Sequence, residues 1–80
     1  MVNTALLEDA IRRSGKKKRY LADKVGCTYK SLRQRCNNIY DFKSSDIEVL
    51  CEELGITDLN EKERIFFAKR VDKTSTMKGA

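Results

Sequence analysis

Twenty-one residues, Lys18 to Asn38 (KRYLADKVGCTYKSLRQRCNN), constrain this chain more than any other stretch. Leu21, Ala22 and Val25 recur at the spacing of one helix face, and Gly26 follows directly. A glycine just past a periodic segment suits the left-handed conformation that ends helices, where a Cβ would clash. Thr28 then offers a side-chain oxygen to the start of a second helix, Tyr29 to about Asn37, whose Leu32 and Cys36 lie one turn apart. Its other faces carry Tyr29, Lys30, Arg33, Gln34 and Arg35. Two short helices about a tight turn, the second polar and basic, form a helix-turn-helix pattern suited to laying a helix in the major groove of DNA.

The charges are distributed in the same sense. The chain has 17 basic and 12 acidic residues among 80, a formal net charge of +5. Residues 12–35 hold ten basic side chains and one acidic, Asp23, whereas residues 44–63 hold seven acidic and one basic. That asymmetry predicts one positive and one negative face, the footprint of a nucleic-acid binder. Lys16, Lys17, Lys18 and Arg19 surround the start of the first motif helix, whose N-terminus already attracts anions, and they read as a phosphate clamp. Tyr20 packs on the core edge or touches the sugar-phosphate backbone, and the sequence leaves both open.

The flanking segments read as further helices. Asn3 is positioned to cap a first helix with the stripe Leu6, Leu7, Ala10, Ile11 and Ser14, Val2 and Leu7 forming a hydrophobic staple. Gly15 ends it. Phe42 anchors the loop after the motif, and Ser45-Asp46-Ile47-Glu48 reads as a capping box. Ile47, Leu50, Cys51 and Leu54 then make the buried stripe of a fourth helix ending at Gly55, with Ile56 returning to the core. Glu48, Glu52 and Glu53 form its outer, acidic face, directed away from DNA. Asn60-Glu61-Lys62-Glu63 suggests another capping box, yet Ile65-Phe66-Phe67-Ala68-Lys69-Arg70-Val71 is rich in β-formers. The reading leans to a short strand or extended arm, with a fifth helix almost as well supported.

Cys27, Cys36 and Cys51 have no metal-like spacing, and histidine is absent. They read as small buried hydrophobes in a reducing cytoplasm, with neither disulfide nor metal. With no nucleophile–base pair and no glycine-rich phosphate loop, an enzyme is not expected, and no cofactor or small-molecule ligand is implied. No signal peptide and no apolar run of membrane-spanning length is evident, so a soluble cytoplasmic protein with no membrane partner is expected.

Leu21-Ala22-Asp23-Lys24-Val25-Gly26, with Leu32 at the later buried position, resembles the core of the helix-turn-helix in the lambda-repressor/Cro (Xre-type) superfamily. The resemblance covers about residues 4–56. It departs at Lys18, where the family often has Gln, and at Asn38, where it usually has Gly. It implies a mainly α bundle of four to five helices, with a short C-terminal β-strand as an option. It also implies sequence-specific binding of double-stranded DNA, as in small phage or prophage regulators. By position in the family Tyr29, Lys30, Arg33 and Gln34 face the bases. Lys30 and Arg33 suit guanine O6/N7 and Gln34 suits adenine N6/N7. Thr28, Arg35, Asn37, Asn38 and Lys43 join Lys16, Lys17, Lys18 and Arg19 as phosphate contacts.

The expected organisation is a DNA-binding domain over residues 1–58, a dimerisation element over 59–72 and a flexible tail over 73–80. One recognition helix spans too few base pairs to pick out a genomic site, so a homodimer on a pseudo-palindromic operator is expected. Ile65, Phe66, Phe67 and Val71 are the residues read as its interface. Two rival readings are a DNA-binding antitoxin of a toxin–antitoxin pair and a protein-interaction module, such as an antirepressor, on the same fold.

Overall fold

The computed structural model describes residues 1–68, which form five helices and, among those residues, no strand. Helix α1 runs Thr4–Ser14, α2 Lys18–Val25, α3 Tyr29–Cys36, α4 Ser44–Leu54 and α5 Leu59–Phe66. Each start and stop has a local cause. The Asn3 side chain accepts the Leu6 N–H at 3.1 Å, and the paired Val2 and Leu7 are both buried. At the turn between α2 and α3, Gly26 takes φ 89°, a conformation a Cβ would disfavour. Its N–H and that of Cys27 both donate to the Ala22 carbonyl, at 2.8 and 3.0 Å. Thr28 then caps α3 by accepting the Ser31 N–H at 3.0 Å.

The core is assembled from all five helices. Leu7 and Ile11 come from α1, Leu21 and Ala22 from α2, and Leu32 and Cys36 from α3. Ile47, Leu50 and Cys51 of α4 and Ile65 and Phe66 of α5 complete it, with Ile56 between them. Helix α2 packs on α3 and α4, while α1 packs on α3, α4 and α5. Leu6, read as part of the α1 stripe, is exposed, so the buried face of that helix is narrower than the periodicity implied.

Three expectations need correction. Helix α4 begins one residue before the expected cap, with the Asp46 carboxylate accepting the Lys43 N–H at 3.2 Å. Asp46 Oδ2 also lies 3.7 Å from Arg35, and that pairing turns the carboxylate inward. Helix α5 is capped by Asp58, which accepts the Glu61 N–H at 3.3 Å, rather than by Asn60. Most importantly, of the two readings of the C-terminal segment the fifth helix is the one found, over Leu59–Phe66. Ile65 and Phe66, which open the run read as a strand or arm, are therefore helical, and residues 69–71 of that run lie outside the described residues. Strand propensity is a weak prior that tertiary burial overrides, and here Phe66 meets Phe42 edge-to-face, 5.9 Å between ring centroids. Ile65 and Phe66 are 1% and 3% exposed within their own chain, so they are removed from the proposed dimer interface. Phe67 faces out. Val71 and the tail over 73–80 lie outside the described residues.

The N-terminal segment straps the bundle together. Asn38 takes φ 64°, the left-handed region, and its amide exchanges two hydrogen bonds with the Val2 backbone, at 2.8 and 2.9 Å. The Thr4 hydroxyl donates to the Cys36 carbonyl at 2.7 Å, and the Asn3 N–H donates to the Ile65 carbonyl at 2.7 Å. Asn38 was read as a phosphate contact; its amide instead holds the end of α3 to the chain start.

Asn38→Ala removes both bonds and leaves a Cβ in a left-handed position. With about 0.5–1.5 kcal/mol per net hydrogen bond and about 1 kcal/mol of backbone strain, it is expected to lose roughly 2–4 kcal/mol in urea unfolding. Asn38→Gly restores the backbone freedom and should recover roughly 1 kcal/mol of that. Equal midpoints for the two variants would show that backbone strain plays no part.

Candidate nucleic-acid interface

Helix α3 presents Tyr29, Lys30 and Arg33 to solvent, with Ser31, Gln34 and Arg35 partly covered. Tyr29 and Arg33 stand at i and i+4, one turn apart on the same face, with Lys30 beside Tyr29 in the first turn. Arg19 reaches this group from α2. Its guanidinium carbon lies 5.0 Å from the Tyr29 ring centroid, and that of Arg33 lies 5.8 Å away. A second ring, Tyr20, has Lys16 at 5.7 Å and Lys24 at 5.4 Å. Two exposed tyrosines, each with two cations, thus line the surface of the helix pair.

The basic tetrad at the start of α2 divides by environment. Lys16 Nζ donates to the Glu53 carbonyl at 2.7 Å and to the Glu53 carboxylate at 2.9 Å, capping the C-terminal end of α4 where the helix dipole favours a cation. Lys18 pairs with Glu8 at 2.9 Å. Both are held inside the fold, whereas Lys17 and Arg19 are exposed. Glu53, read as part of an outward acidic face, turns to the α1–α2 junction because α4 packs beside α2. Between residues 16 and 43, Lys17, Arg19, Lys24, Lys30, Arg33 and Lys43 have no carboxylate partner among the described residues. Arg35 has one, Asp46, and Asn37 is exposed at the end of α3. Farther back, Arg12 and Arg13 are bound to Asp9 at 2.7 and 2.9 Å, and Arg13 also reaches Glu61 at 3.4 Å.

Lys24 belongs with this surface and was not singled out from the sequence. Its spacing of four residues from Tyr20 was the available signal. Tyr20 is resolved in the same way: its ring lies within cation–π distance of two lysines.

The hydrogen bond from Lys16, supported by the Lys16 charge, the Tyr20 hydroxyl and Lys24, holds the Glu53 carboxyl below its usual range. Burial pushes the Cys36 thiol up to about 11, aided by the nearby Glu8 carboxylate. Burial likewise raises the Cys51 thiol. Cys27 is only partly buried, at the edge of the core.

A second feature lies at the other end of α3. A recess of about 240 Å³ is lined by Met1, Arg35, Tyr40, Phe42 and Phe67, among others. Tyr40 is 59% and Phe67 55% exposed, large apolar surface without cover from the described residues.

Comparison with protein-family profiles, with curated proteins and with solved structures finds no match to this chain.

Two measurements test this electrostatic description. A carboxyl held low in the folded state stabilises fully above its unfolded pKa of about 4.3 and loses that contribution as pH falls. The stability gap between the parent and Glu53→Gln should therefore be constant near neutrality and close below about pH 4.3. A gap that persists at pH 2 would place its origin elsewhere. With iodoacetamide at pH 8, Cys27 should be alkylated in the folded protein, and Cys36 and Cys51 only on unfolding, since buried neutral thiols are poor nucleophiles. Peptide mass spectrometry reads the order.

Proposed function

We propose that this protein binds double-stranded DNA sequence-specifically, as a transcriptional regulator of the lambda-repressor/Cro type. Helix α3 lies in the major groove, and the protein acts in the cytoplasm by occupying an operator. The observation that carries this reading is the sorting of charge. Lys17, Arg19 and Lys24 at and along α2 and Lys30 and Arg33 on α3 have no carboxylate within ion-pair distance among the described residues, while Lys16 and Lys18 are paired with Glu53 and Glu8. A helix pair that carries cations without carboxylate partners incurs a self-repulsion that a polyanion relieves. Lys30 and Gln34 are the base-reading candidates beside Arg33, and Lys17 and Lys24 the phosphate candidates. No catalytic role is proposed.

Homodimerisation remains part of the proposal, on a revised surface. With Ile65 and Phe66 in the core, the apolar contact proposed is Phe67 with Tyr40 and Met1, which gather around one recess. Truncation before α5 cannot test it, because that removes two core residues. Phe67→Ser in the full chain can. It should lower the sedimentation coefficient and weaken binding to a full palindrome while leaving half-site binding unchanged.

Affinity for duplex DNA should fall steeply with salt. Lys17→Ala and Lys24→Ala should each reduce the slope of log affinity against log salt by about 0.9. Lys16→Ala should destabilise the fold with the slope unchanged. Lys30→Ala or Gln34→Ala should cost roughly 1–3 kcal/mol on the preferred site and relax one base position. Salt-independent binding, or none, would leave the protein-interaction module as the reading of this fold.

A further inference from the structure

Within the proposed DNA-binding surface, Arg19 and Arg33 differ from the carboxylate-paired arginines of the bundle. Arg12, Arg13 and Arg35 each direct guanidinium nitrogens at a carboxylate. Arg19 and Arg33 have neither a carboxylate nor a hydrogen-bond partner among the described residues; what they share is the ring of Tyr29. This difference has a chemical consequence. A carboxylate restrains an arginine by occupying its N–H groups, whereas an aromatic face attracts the charge and leaves the in-plane N–H edge available. Bidentate recognition of guanine O6/N7 or of a phosphate needs that edge.

The ring is also well placed to set two positions at once. Tyr29 is the first residue of α3, directly after the Thr28 cap, so its backbone is fixed by the turn. Arg33 lies one helical turn on, and Arg19 comes from α2 across the motif. One side chain therefore ties a cation of the leading helix to a cation of the recognition helix. The ring of Tyr20 shows the contrasting case, since its Lys16 is paired with Glu53.

We propose that Tyr29 is a positioning residue rather than a base contact, its ring holding Arg33 with a free N–H edge for a guanine in the major groove and Arg19 for the adjoining phosphate. The inference rests on the DNA-binding reading above. Restraining the two long side chains beforehand reduces the ordering cost of binding, so Tyr29 governs affinity and guanine preference through its arginines without touching the base.

The test uses the full chain and a duplex selected by the parent protein from a random pool. Tyr29→Phe keeps the ring and should retain affinity and base preference. Tyr29→Leu should lose about ten-fold in affinity and, with it, the preference for guanine at one position. Replacing that guanine by 7-deazaguanine, which lacks N7, should weaken the parent and Tyr29→Phe but have little effect on Tyr29→Leu. Free of DNA, NMR should show upfield ring-current shifts of the Arg19 and Arg33 δ-methylene protons in the parent and Tyr29→Phe, abolished in Tyr29→Leu, whose thermal unfolding should stay near the parent's. If the parent selects no duplex, the DNA-binding reading fails and the inference with it. If the parent binds and Tyr29→Leu matches it in affinity and base preference, the inference alone is overturned. The inference also fails if Tyr29→Phe behaves like Tyr29→Leu, since the hydroxyl would then be the active group.

Discussion

The helix pair that carries the candidate interface has no core of its own. At eight residues each, α2 and α3 are shorter than the roughly 12–15 residues at which isolated helices become even marginally stable. Leu21, Ala22, Leu32 and Cys36 are buried in a core to which α1 and α4 supply the opposing surface. Leu32 shows how much depends on this. Truncating a buried leucine to alanine removes about 2–5 kcal/mol, a large part of the roughly 5–15 kcal/mol that holds a domain folded. The candidate surface is thus an outgrowth of the common core, and a destabilising change on the far side of the bundle acts on it by unfolding it.

The same packing decides which cations remain available. Because the end of α4 sits beside the start of α2, Lys16 finds a carbonyl and a carboxylate at the Glu53 position, and Lys18 finds Glu8 on α1. Partly exposed pairs of this kind contribute little to stability. Their larger effect is positional. They convert four consecutive cations into two directed inward and two, Lys17 and Arg19, directed outward. Asn38 is similarly committed, its amide spent on Val2 rather than left for a phosphate.

The legible parts of the sequence were those governed by local chemistry. The Asn3 and Thr28 caps, the left-handed Gly26, the left-handed tolerance of Asn38 and the buried Leu21 and Leu32 follow from side-chain reach, backbone sterics and helical period, and each is present. The misread parts depended on long-range partners. Ile65-Phe66-Phe67 has strand-like composition, and only Phe42, more than twenty residues away, decides that Phe66 points inward from a helix. Glu53 and Lys16 lie far apart in sequence, so their bond, and the internal use of Lys16 that follows from it, had no local signature. In the candidate interface the basic residues were legible as a group. Their division into paired and unpaired members, and the part played by Tyr29, required the packing of α2 on α3 and α4.

Unpaired cations on one surface impose opposing demands. Lys17, Arg19, Lys24, Lys30 and Arg33 repel one another in the free protein, and the two tyrosine rings offset only part of that, at about 0.5–1 kcal/mol per exposed cation–π contact. Added salt screens the repulsion and so favours the folded state, while it weakens attraction to a polyanion through the lost gain from counterion release. Stability and DNA affinity should therefore respond to ionic strength with opposite signs in the proposed role. The ion pairs at the inner edge, Lys16 with Glu53 and Lys18 with Glu8, limit the first penalty without removing any outward charge. The pairing of Lys16 and Lys18 with carboxylates of α4 and α1 thus lowers the local positive charge without drawing Lys17 or Arg19 inward.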